Sequence, residues 1–92
     1  MEEVRHHQLI RSVRDFKVNG GTPSMANVII FRLESYVNEK QDRITHLKSL
    51  PHQTRSVLHK IAHTTFHRNM AWMQLKSMRK RMRRYRLVLE EE

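Results

Sequence analysis

Ninety-two residues bound a single small domain, near the size at which one hydrophobic core is barely sufficient. The chain has no cysteine, which excludes disulfides, thiolate catalysis and cysteine zinc sites, and no apolar run near the ~20 residues of a membrane span. Its net charge of +9 is unevenly placed: residues 1–51 carry +2, residues 52–89 carry +10 with no acid, and Glu90, Glu91 and Glu92 form an acidic tail.

Two glycines and two prolines leave room for few turns. The expected fold is all-α: one domain over 1–92, an antiparallel bundle of three helices at about 2–17, 23–50 and 52–89. Met1-Glu2-Glu3 lacks a signal-peptide layout, so the expected location is the cytoplasm, or the nucleus of a eukaryotic or viral host.

In the first helix, Leu9, Val13 and Phe16 share a face, with Val4 and Ile10 beside them. Glu2 and Glu3 suit the positive end of its dipole, and Arg14 and Lys17 the negative end. Asn19-Gly20-Gly21 ends it, because glycine accepts the left-handed backbone of a C-cap.

Thr22-Pro23 opens the second helix: threonine caps free amides, and proline at the first helical position forfeits no hydrogen bond. Ala26, Ile30, Leu33, Val37, Ile44 and Leu47 form its stripe, interrupted at Lys40. Met25, Val28, Ile29, Phe31 and Tyr36 make the first half apolar on most sides, so that half is expected to be sandwiched. The turn also admits a helix-turn-helix reading, which bulky Phe16 and the length of the second helix disfavour.

Pro51 closes the second helix by pushing its predecessor away from helical geometry. The third helix then returns antiparallel, with the seam Val57, Ile61, Thr64, Arg68, Ala71, Leu75, Met78, Met82, Tyr85, Leu89. Thr64 and Arg68 are weak points, so a bend or break is expected over residues 63–69. Unbroken, this helix is ~55 Å long against ~40 Å for the second, so its end overhangs and needs cover from the first helix, a second copy or a ligand. A homodimer through the third helix is the expected assembly.

The densest charge lies on that helix. Lys76, Arg79, Lys80, Arg81, Arg83, Arg84 and Arg86 fall within eleven residues and are the candidate binding residues. Lys76, Lys80 and Arg84 form one row, and Arg79, Arg83 and Arg86 another. The ~5.4 Å step between helical turns can follow a phosphate backbone. Arginine's planar fork of donors suits phosphate. The pattern points to nucleic acid, with RNA favoured over DNA because rows of arginine suit backbone and shape recognition. The alternative is a small regulatory or adaptor protein whose basic amphipathic helix binds an acidic protein partner. Trp72 with Met70, Met73, Met78 and Met82 also fits a membrane surface or a partner's groove, but core packing is the simpler role for the methionines.

His59, His63 and His67 share a face, and His46 lies across the hairpin from them. A structural zinc site needs four ligands, and no carboxylate neighbours this row, so neither metal nor cofactor is called for. Flanking donors to the basic surface are the expected role. If all seven histidines charged, the net charge would rise to +16 and binding would tighten on mild acidification. No catalytic motif is present, and the expected class is a non-enzyme.

Overall fold

The computed structural model describes residues 2–91, with side chains over residues 4–84. The described chain holds three helices and no strand: α1 (Glu2–Asn19), α2 (Pro23–Ser49) and α3 (Arg55–Glu91).

Local chemistry sets each boundary. The Gly20 amide donates to the Phe16 carbonyl at 2.9 Å, and Gly20 takes φ +73, a conformation that disfavours any residue with a Cβ. The Met25 amide donates to Thr22 Oγ1 at 3.2 Å, and Pro23 occupies the first helical turn, as expected. Leu50, ahead of Pro51, is extended and ends α2. Residues 50–54 cross between the helices, so α3 starts three residues later than predicted. Gln53 Nε2 holds this crossing by donating to the carbonyls of Leu47 (3.1 Å) and Leu50 (2.8 Å). Thr54 caps α3 by accepting from the Val57 amide at 3.2 Å.

α2 and α3 form an antiparallel hairpin, pairing Gln41 with Arg68 and Glu34 with Arg79. α1 lies antiparallel to α2 and parallel to α3, joining Arg5 to Glu39 and Lys17 to Gln74. The body measures 58 × 22 × 15 Å. One core gathers Leu9 and Val13 of α1, Ala26, Ile29, Leu33 and Tyr36 of α2, and Ala71, Leu75 and Met78 of α3. Phe16, Ile30, Val37 and Met82 pack against it. Ile44 and Leu47 are also buried, in the half of α2 nearer the loop.

The sequence expectations require three adjustments. The predicted break over residues 63–69 is absent and α3 is helical throughout. There the inward position belongs to His67 rather than Arg68. Arg68 turns aside, donating to Gln41 Oε1 at 2.6 Å and to Asn69 Oδ1 at 2.9 Å. The α2 stripe is rotated: Ile29 and Tyr36 are buried, Ile30 and Val37 lie at its edge, and Lys40 is buried in line with them. The first half of α2 is not sandwiched, because α1 and α3 leave one side open. Met25, Val28 and Phe31 are exposed there. Of the three kinds of cover expected for the α3 seam, α1 supplies it as far as Met82 within a single chain. The seam residues Tyr85 and Leu89 lie outside the described side chains.

Candidate functional site

Beyond Leu75, α3 carries cations on three sides. At 100° per residue, Lys76, Lys80 and Arg84 run along the side of α3 turned away from buried Leu75 and Met78. Arg79 and Arg83 face α2, where they line a small hollow of about 250 Å³ with Asn27, Ile30 and Met82. Arg81 faces the α1–α2 turn across a larger hollow of about 590 Å³, which Arg84 also lines from the outward side. Arg86, the seventh predicted cation, lies outside the described side chains.

These cations are not equivalent. Arg79 Nη2 donates to Glu34 Oε1 at 2.7 Å, in a pair that is about half exposed. That contact holds one of the cations in place and cancels its charge. Lys76 Nζ and the Arg79 guanidinium lie 5.3 and 5.9 Å from the Trp72 ring centroid. Cations at that distance are drawn to the negative face of the indole. Trp72 is 39% exposed, at the margin between the core and the basic surface. Of the methionines, Met78 is fully buried and Met70 and Met82 are half-buried. Met73 is exposed, which corrects its assignment to the core.

The outward side of α3 changes character along its length. Between Leu58 and Met73 it displays Leu58, Ala62, Phe66 and Met73, with Thr65 and Asn69 beside them and no charge. It then passes directly into Lys76, Lys80 and Arg84. An uncharged half and a basic half thus share one continuous face.

The predicted row of His59, His63 and His67 is present, and His6 of α1 extends it. His67 is buried and stacks on His6 of α1, with ring centroids 4.2 Å apart and planes 11° from parallel. His63 tilts against His67 at 4.3 Å, and His59 stacks on His63 at 6.3 Å. His6 Nδ1 and the Tyr36 hydroxyl share a hydrogen bond at 3.3 Å. The Tyr36 ring also carries Lys40 Nζ at 5.0 Å and the Arg5 guanidinium at 5.4 Å. Burial holds the His6 pKa below the ordinary histidine value, reinforced by His67, His7, Lys40 and His63. His6 and His67 therefore join α1 to the hairpin, and do not flank the basic surface as expected. Among the described residues no three His, Asp or Glu are grouped to hold a metal ion, and His46 makes no ring contact.

Sequence reasoning found the cations but missed His6, Glu34 and Lys17, whose partners lie on other helices. No described helix is long and apolar enough to cross a membrane. No family model matches the chain, and neither does any curated protein or solved structure.

Proposed function

We propose that this protein binds nucleic acid through the backbone phosphates, using the second half of α3, and that it does so in the cytoplasm or the nucleus. The observation that carries the reading is the placement of Lys76, Lys80, Arg81, Arg83 and Arg84 on three sides of α3, which holds no acid from Arg55 to Leu89. Cations spread this way meet phosphates on either side of the helix. Repulsion between them is relieved when phosphates displace the surrounding counterions. RNA is favoured over DNA, because the arrangement offers backbone and shape contacts and no paired amide side chains to read base edges. The protein acts as a homodimer, with a second copy on the uncharged outward face of α3 at Leu58, Phe66 and Met73. That location leaves Lys76 to Arg84 available to the ligand.

Salt dependence tests the proposal. At ~0.9 per phosphate, the five cations named above give a log–log slope of affinity against salt near −4.5 on a duplex. Arg83→Gln with Arg84→Gln lowers that slope by about 1.8, whereas Arg11→Gln with Arg43→Gln, which removes the same net charge elsewhere, leaves it unchanged. Fluorescence anisotropy on labelled RNA and DNA duplexes of about 20 base pairs reads both quantities. Absence of binding at low salt, or equal loss in the two double variants, refutes the reading. Equal affinity for a random acidic polypeptide transfers the function to an acidic protein partner.

A further inference from the structure

The hollow between the α1–α2 turn and α3 is built differently from the rest of the basic surface. Phe16, Pro23 and Met82 give it apolar walls, and Lys17, Arg81 and Arg84 supply cations from two helices. None of its described lining residues is acidic. Its volume of about 590 Å³ falls in the range of small-ligand sites. The Phe16 ring lies against the turn: a Cβ added at Gly21 would be 2.9 Å from one ring atom and 3.0 Å from the next. Lys17 Nζ donates to a neutral acceptor, Gln74 Oε1, at 3.0 Å. Burial and the nearby Arg81 together push the Lys17 pKa down.

We infer that this hollow receives the terminal nucleotide of a nucleic-acid strand, its base against Phe16 and Met82 and its monoester phosphate among Lys17, Arg81 and Arg84. The inference rests on the proposed function and narrows it to strand ends. Two features select a terminal phosphate over an internal one. A monoester carries close to two negative charges near neutral pH, where an internal diester carries one, and three cations without an acid match the larger charge. The flat wall of Phe16 beside those cations suits a base attached to the phosphate better than phosphate alone. The start of α2 at Pro23 adds the positive end of a helix dipole on the same side.

The test uses the full chain and a short single-stranded RNA made with a 5′-phosphate, with a 3′-phosphate, or with neither. Gly20 and Gly21 are the only glycines and both line the hollow, so their amide resonances report on it separately from the outward cations. At least one phosphorylated RNA binds about tenfold tighter than the unphosphorylated one and shifts both glycine signals saturably. Lys17→Gln abolishes that preference, while Arg83→Gln weakens all three RNAs and leaves the preference intact. Equal affinity of the three RNAs with unmoved glycine signals overturns the inference, and leaves the proposed function standing if Arg83→Gln still weakens binding. Failure of every RNA to bind at low salt overturns both. Adenosine monophosphate binding as tightly as the phosphorylated RNA overturns the strand-end assignment in favour of a free nucleotide.

Discussion

Acidification should loosen the joint between α1 and the hairpin, and His6 should account for a measurable part of the loss. His6 is buried against His67, and its pKa lies below the usual value, first through burial and then through His67, His7, Lys40 and His63. A histidine depressed in the native state takes up its proton more readily in the unfolded chain. Its stabilising contribution is complete above the unfolded value of 6.5 and is lost as pH falls from there towards the native value. One proton contributes at most about 1.4 kcal/mol per pH unit, against a total of ~5–15 kcal/mol for a small domain. The groups facing this joint are Arg5 and His7 on α1, Tyr36, Glu39 and Lys40 on α2, and His63 and His67 on α3. Glu2 and Glu3 lie one turn earlier, with side chains outside those described. Urea unfolding followed by circular dichroism at about pH 7.5, 6.5 and 5.5 measures the slope. The native chain loses stability across that series, and His6→Gln, which cannot titrate there, shows a shallower slope. Parallel slopes for the two proteins would refute the reasoning.

Three further outcomes follow from other parts of the molecule. Met78 is fully buried in the three-helix core, so Met78→Ala should lower unfolding free energy by ~2–5 kcal/mol, read from the urea midpoint at constant m-value. Glu34→Gln releases Arg79 from its half-exposed pair, so the salt slope of duplex binding should steepen by ~0.9 while stability changes by less than ~1 kcal/mol. Phe66→Asp places a charge in the uncharged outward face, and light scattering should show a dimeric wild-type chain and a monomeric variant with unchanged helix content. A monomeric wild-type chain removes the proposed dimer.

The turn from α1 to α2 and the end of α2 were legible because their determinants are local. Thr22-Pro23, Gly20 and Pro51 act within a turn of where they stand, and they appear in the structure as expected. The faces were harder to read. Ile29, Ile30, Tyr36 and Val37 are all apolar, so periodicity alone cannot decide which pair turns inward. The choice is made by α1, which lies along α2 and α3 together and brings His6 to Tyr36. His67 and Arg68 presented the same problem in α3, where neither residue is apolar. His67 takes the inward place because a flat ring can stack on His6, while Arg68 finds polar partners at Gln41 and Asn69. In the candidate site, the cations follow from a simple count. Their division between α2, the turn and the open side depends on contacts such as Arg79 with Glu34, 45 residues apart, which leave no trace in local pattern.

The threading of α1 along α3 has a consequence for how the chain is made. α1 leaves the ribosome before α2 and α3, yet Lys17 is held by Gln74, 57 residues further on, and His6 stacks on His67. α2 and the start of α3 are joined by only residues 50–54, so they can pair as soon as they emerge. α1 can pair with α2 across the short turn at residues 20–22, but its packing is complete only once most of α3 has been synthesised. Throughout that interval the apolar side of α1 has no complete partner, and the nascent chain carries its greatest exposure to misassociation just before the bundle closes.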